Sequence, residues 1–322
     1  MLDGRFASIC IIDDTLEQNG GAIWRVVEMC AMHVCALSLL TSPLHPPLVL
    51  VNHIINSSHR ALLEHAGAEV IESPPLPQWN SSGVLWARRS CRSAPLVCGA
   101  NVTKPPRLGN FYRLHLWDPS IAGARKVAYL DPDTLPIRNA SALLSDFEPP
   151  AALRLGDKCR TSSRKWYEPP GGIFLDGERI RKNDYYWNAG VVVLSPSTEA
   201  YNTLMAMFRS GSYPNADPGN YASDQDLLQA FYWRALHGHP PNALPHTLNF
   251  RGYPCSYYAV ADNLTTVKIV HQAKSLRQHN PWRGVCPRLT YAQYRAILKS
   301  FLANRSCMKR GPTAVADPLS CD

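Results

Sequence analysis

The chain has 322 residues, 45% hydrophobic and 18% charged, a balance that supports a sizeable core and excludes global disorder. Its formal net charge of +8 favours an anionic partner. The basic residues sit in short clusters without zinc-finger spacing, an RNA-binding aromatic signature or a long basic helix, so nucleic acid is excluded and one phosphate site on a solvated surface is expected.

No stretch reaches the roughly 20 apolar residues that span a bilayer. The N-terminus, MLDGRFASICIID, lacks the basic, apolar and small-residue regions of a signal peptide. As given, the chain is expected to be cytoplasmic. Two features favour a secretory lumen or the Golgi if an anchor lies outside this sequence. There are ten cysteines with no CxxC pair. There are also six Asn-x-Ser/Thr sequons, at Asn56, Asn80, Asn101, Asn139, Asn263 and Asn304, where about two are expected by chance.

In chain order, the apolar run at 6–13 predicts a buried first strand. Helical spacing of Ile23, Val26, Val27, Cys30, Val34 and Leu37 predicts a helix over 22–40. A strand at 47–53, a helix at 57–67 that starts at a Ser cap and ends at Gly67, and a strand at 68–73 follow. This alternation demands a parallel sheet covered by helices. Residues 74–106 are Pro-rich and predict a surface excursion. A helix at 109–119, a strand at 126–131 and a helix at 141–147 restore the rhythm, and 151–184 reads as a polar loop region. A strand at 187–196, helices at 197–208 and 223–236, a strand at 267–273 and a helix at 289–305 complete the series, with 306–322 frayed.

Open α/β sheets bind ligands at the carboxyl ends of their strands. Polar residues fall there at Asp13, at Asp131 and Asp133 in KVAYLDPDTLPIRNASALL, and at His271 in VKIVHQA. An Asp-x-Asp after a strand leans both carboxylates to one side. With an imidazole it suits a manganese- or magnesium-type ion with positions left for two phosphate oxygens. Asp-Pro-Asp-Thr is also an ordinary turn sequence. On the tripeptide alone both readings stand.

The segments FYRLHLWDP, KVAYLDPDTLPIRNASALL, YWNAGVVVLSPS, SDQDLLQAF, LPHTLNF and VKIVHQA with a later NPW resemble, in the same order, the blocks of glycosyltransferase family 8, over most of residues 6–285. The resemblance implies an α/β GT-A fold, Rossmann-like, with a mixed, mainly parallel sheet flanked by helices. It implies one domain over 1–305, with 6–147 the nucleotide- and metal-binding half and 148–305 the acceptor and donor-sugar half. The implied activity is retaining hexosyl transfer from a UDP-sugar, with Mn²⁺ or Mg²⁺, to a carbohydrate, lipid-linked or protein acceptor.

By the same resemblance Asp131, Asp133 and His271 match the metal ligands. Asp224 and Gln225 match the pair nearest the anomeric carbon. Asn188 and Ala189 match the donor-sugar contact. Arg113 is similar to the basic residue near the donor phosphates, and Ile11, Asp13 and Pro132 fall with the nucleotide-binding positions. The family's His-x-x-Gly-x-x-Lys-Pro-Trp becomes HQAKSLRQHNPW, which leaves Lys274 and Arg277 as the phosphate candidates. The tyrosine that stacks on the base after the first strand is replaced by IIDDTLEQNGG, and Tyr221 stands where some members carry an acid. Two other readings remain: a non-catalytic nucleotide-sugar-binding protein and a sugar nucleotidyltransferase. The latter is disfavoured by the acidic loop after the first strand.

Overall fold

A computed structural model describes residues 2–11, 20–41, 45–78, 108–154, 173–175, 178–180, 187–210, 224–236, 241–250 and 266–271. The expected helix at 289–305, the frayed tail and most of the Pro-rich excursion lie outside them.

The first half is the expected alternation: β1 (Leu2–Cys10), α1 (Gly20–Thr41), β2 (Leu48–Val51), α2 (Ser57–His65) and β3 (Glu69–Glu72). Helix α1 buries Val27, Cys30, Val34 and Leu37, the face its spacing predicts. The cap of α2 is one residue earlier than expected: Asn56 Oδ1 accepts from the His59 N–H at 3.0 Å. Gly67 follows the helix with φ of +100°, and a Cβ there would stand 2.8 Å from Ser38 Oγ, so glycine is required both conformationally and sterically.

The expected helix at 109–119 is instead three short pieces: α3 (Leu108–Phe111), a 3₁₀ segment (Tyr112–Trp117) and α4 (Pro119–Ala122). Pro119 is the cause. It excludes Asp118 from the helical region (φ −73°, ψ 116°), and Asp118 then caps α4 through Ser120 N–H. Next come β4 (Ala124–Leu130), β5 (Thr134–Pro136), α5 (Ala142–Ser145) and β6 (Ala151–Arg154). The region read as loop, 151–184, therefore contains β6 and the antiparallel pair β7 (Ile173–Leu175) and β8 (Glu178–Ile180). Such short strands lack enough period to be read among Gly and Pro. The chain continues through β9 (Trp187–Leu194), α6 (Thr198–Ser210), α7 (Asp224–Ala235), β10 (Asn242–Ala243), a 3₁₀ turn (His246–Leu248) and β11 (Ile269–His271).

The fold is a mixed α/β arrangement around a seven-stranded, mostly parallel sheet ordered β10-β6-β9-β4-β1-β2-β3. Strand β9 is antiparallel to both neighbours, and every other neighbouring pair is parallel. All of β9 is buried, consistent with its continuous apolar run. One sheet face, with Ile9, Val127, Tyr129 and Val192, packs under Phe111, Trp117, Phe208 and Phe231. The opposite face, with Phe6, Leu130, Val191 and Val193, meets Leu37, Leu143, Leu248 and Ile269. A Cys10–Cys30 disulfide ties the end of β1 to α1.

Two buried histidines pin this packing. The His33 Nδ1–H donates to the Thr134 carbonyl at 2.9 Å, and His115 Nδ1 lies 3.0 Å from the Tyr201 hydroxyl. Burial lowers both from 6.5 to about 4. The unfolded chain gains protons on these rings as pH falls through 6.5, whereas the folded protein does not until about 4. Their stabilisation is therefore complete above 6.5 and lost toward 4, by at most about 3 kcal/mol apiece. Urea midpoints should be flat near pH 7.5 and fall between pH 6.5 and 4, with His115→Gln showing a shallower fall.

Candidate functional site

The site forms where β4 ends. Asp131, Pro132 and Asp133 make a tight turn into β5, in which the Thr134 N–H and hydroxyl both donate to the Asp131 carbonyl, at 2.9 and 2.7 Å. Proline at the second turn position is pre-set for this geometry. The Asp-Pro-Asp-Thr sequence is thus a true turn, and that turn presents both carboxylates.

Strand β11 pairs antiparallel with β5, and His271 stands opposite Thr134. The register delivers the imidazole to the carboxylates: His271 Nε2 is 3.4 Å from Asp133 Oδ1 and 3.9 Å from Asp131 Oδ2. One ligand atom from each of the three lies within 4.8 Å of the others, a spacing that a divalent ion can bridge. His271 is buried, while Asp131 and Asp133 are partly open.

Beneath the turn, Arg113 projects from the 3₁₀ segment and is 4% exposed. Its Nη2 is 2.8 Å from Asp131 Oδ1, its Nε 2.8 Å from Asp224 Oδ2, and its Nη1 donates to the Ala189 carbonyl at 2.8 Å. The guanidinium also lies 4.7 Å from the centroid of the Tyr129 ring, and the Tyr129 hydroxyl donates to Asp131 Oδ1. Burial opposes the Arg113 charge, but the carboxylates of Asp131 and Asp224 outweigh it and hold the group protonated. Burial raises the Asp224 carboxyl, against which Arg113 pulls downward. Arg113 is therefore engaged with the carboxylates of Asp131 and Asp224 and the carbonyl of Ala189.

Asp224 and Gln225 open α7. Gln225 Oε1 accepts from the Ala189 N–H at 3.0 Å and from Asn188 Nδ2 at 3.3 Å. Asn188 and Ala189 are on β9 where its register against β6 jumps: Ala152 faces Val192, and the next residue, Leu153, faces Asn188. This bulge turns the Asn-Ala-Gly segment toward the turn, and Asp131 N–H donates to the Gly190 carbonyl at 2.8 Å. Asp131, Asp133, His271, Arg113, Asp224, Gln225, Asn188 and Ala189 are thus brought together. Ile11 packs on the hydrophobic core close to Gly109. Asp13, Lys274 and Arg277 lie outside the described residues.

Two contributors were not singled out from sequence. A Cβ at Gly190 would overlap the His271 ring, with Nε2 and Nδ1 only 2.7 and 2.8 Å away. The signal was a glycine inside an otherwise apolar strand, which marks close approach of another group. Asn249, behind His271, lies 2.7 Å from its Nδ1. It sat in LPHTLNF with no pattern to announce it.

No family model matches the sequence, and no curated protein matches it. By structure the chain is similar to the apo-form glycosyltransferase GlyE of Streptococcus pneumoniae TIGR4, with a TM-score of 0.47 and 13% identity, over 93% of this chain. It spans 60% of the length of GlyE. It is also similar to the galactosyltransferase LgtC in complex with donor and acceptor sugar analogues, with a TM-score of 0.48 and 16% identity over 92% of this chain and 95% of LgtC. Mouse xyloside xylosyltransferase 1 aligns with a TM-score of 0.40 and 14% identity over 84% of this chain and 97% of its own. Likeness this distant leaves the functional reading to the geometry of the site.

Two variants probe that geometry. Gly190→Ala should leave a folded protein whose His271 is displaced, weakening divalent-ion binding by at least about tenfold in a titration. Arg113→Met leaves Asp224 buried without its cation and should lower stability by on the order of 3–5 kcal/mol in urea unfolding.

Proposed function

We propose that the chain is a metal-dependent, retaining glycosyltransferase of the GT-A type that moves a hexose from a UDP-sugar to a carbohydrate, lipid-linked or protein acceptor. The observation that carries the reading is the convergence of Asp131, Asp133 and His271 at the carboxyl end of a central strand, with Asp224, Gln225 and Asn188 beside them. Two carboxylates and one imidazole suit Mn²⁺, with Mg²⁺ a poorer match to the nitrogen ligand, and leave positions for diphosphate oxygens. Bound there, the ion supplies the positive charge that stabilises a departing nucleoside diphosphate.

The chain's own groups have separable tasks in this reading. Arg113 holds the Asp131 and Asp224 carboxylates in place through contacts of 2.8 Å. Asp224 supplies negative charge toward the sugar, where an oxocarbenium-like state develops. Gln225 Oε1 already accepts two hydrogen bonds, so its task is to orient rather than to attack. Asp13, Lys274 and Arg277 are assigned to the nucleotide and its phosphates on the family resemblance.

The test is UDP release from a panel of UDP-sugars with Mn²⁺ and then with EDTA. One sugar should turn over only with the metal, and Asp133→Ala should abolish both turnover and metal-dependent donor binding while the fold persists. Unchanged donor affinity in that variant removes the metal assignment. Metal-dependent UDP binding without turnover on any acceptor leaves a binding protein.

The proposed compartment rests on other features. Among the described residues no helix is long and apolar enough to cross a membrane. The Cys10–Cys30 disulfide and the exposed sequon asparagines Asn56 and Asn139 favour an oxidising, glycosylating compartment over the cytoplasm. Chain recovered from a eukaryotic secretory pathway should lose mass on peptide N-glycosidase treatment, with Asn139 converted to Asp in its tryptic peptide. Unmodified Asn139 and Asn56 in that material would remove the sequon argument for a glycosylating compartment.

A further inference from the structure

His271 is useful as a ligand only if its Nε2 carries a lone pair rather than a proton, because Nε2 is the atom that faces Asp131 and Asp133. A free neutral imidazole prefers the opposite tautomer, with the proton on Nε2. Something must therefore hold the proton on Nδ1, and the structure contains a device that does so.

The device begins at two backbone amides. An N–H can only donate, so the Ala189 N–H fixes its partner on Gln225 as the carboxamide oxygen, at 3.0 Å. The Gly190 N–H likewise fixes its partner on Asn188 as Oδ1, at 3.1 Å. Asn188 Nδ2 is then directed at Gln225 Oε1, 3.3 Å away. Asn188 Oδ1 in turn demands a donor from Asn249, so Asn249 Nδ2 points to it at 2.9 Å. This leaves Asn249 Oδ1 facing His271 Nδ1 at 2.7 Å, and a carboxamide oxygen can only accept. Nδ1 must hold the proton. Asn188, Asn249 and His271 are all buried, so water does not offer a competing partner at low cost.

We infer that Asn249 and Asn188 are positioning residues that set the tautomer of His271 for divalent-ion ligation, and that they join His271 and Gln225 in one polarised hydrogen-bond relay. The metal part rests on the function proposed above. The relay itself belongs to the metal-free protein. Every amide in it donates in the same sense, from His271 through Asn249 and Asn188 to Gln225. Reversing one carboxamide would oppose two donors or two acceptors at a neighbour. The bulge of β9 supplies both backbone amides, so the irregularity that brings Asn188 to the site also sets its polarity.

The experiment is ¹⁵N NMR of the histidine rings and side-chain amides in metal-free protein at pH 8, with Mn²⁺ affinity measured in parallel by calorimetry. In the wild type, His271 should report the Nδ1–H tautomer. Asn249→Leu should shift it toward Nε2–H and weaken Mn²⁺ binding about 10–100-fold. Asn249→Asp still accepts from Nδ1–H but cannot donate to Asn188. It should keep the wild-type tautomer while the Gln225 side-chain amide resonances move. A wild-type His271 that is neutral, with its single proton on Nε2, overturns the inference whether or not either variant folds. So does an Asn249→Leu protein with an unchanged tautomer. If the tautomer follows the prediction but no Mn²⁺ binds to the wild type, the relay stands and the metal reading fails.

Discussion

The guanidinium of Arg113 lies under acidic groups drawn from distant parts of the chain, and the rest of the site depends on how it balances them. Asp131 follows β4 and Asp224 opens α7; Asp224 is buried and would carry a large desolvation cost without a cation. Arg113 lies 2.8 Å from both; its Nη1 donates to the Ala189 carbonyl, and its Nε, the atom nearest Asp224, donates to the Asn110 carbonyl at 3.2 Å. Its planar fork of donors is what makes three directions of contact possible, and a lysine offers no equivalent. One cation thereby fixes the relative positions of β4, β9 and α7.

That arrangement separates two kinds of negative charge. Asp131 Oδ1 is consumed by Arg113 and Tyr129, which leaves Oδ2 turned toward His271. Asp133 contributes a further oxygen on the same side. The positive charge inside the protein is spent on holding the frame, so the outer face of the cluster stays electron-rich and suited to an ion from solution. Asp224 sits on the inner side, where burial and Arg113 pull its carboxyl in opposite directions.

Much of the frame was legible in the sequence because it rests on local repetition. Alternating strands and helices, the apolar stripe of α1 and the continuous buried run of β9 each carry their signal within a few residues. The Asp-Pro-Asp turn was legible for the same reason, since proline and the aspartates determine it locally. Misreadings arose where one residue overrode the pattern. Pro119 broke an expected helix, and β6 was hidden at the edge of a Gly- and Pro-containing stretch. The resemblance of ordered blocks named residues that converge at the site, but it supplied no distances and did not announce that Arg113 pairs with both Asp131 and Asp224.

The sequence by itself determined the longer secondary elements, the turn after β4 and the inventory of carboxylates, amides and imidazole available for chemistry. Local sterics and periodicity suffice for these. Only the tertiary structure decided what those groups do to one another. The pairing of β11 with β5 set His271 beside Asp133 across more than a hundred intervening residues, and the missing side chain at Gly190 left room for its ring. The polarity of the Asn188–Asn249 relay depends on backbone amides that belong to a different strand from the histidine they control. Contacts of that kind are fixed by sheet register and burial, which no local window of sequence contains.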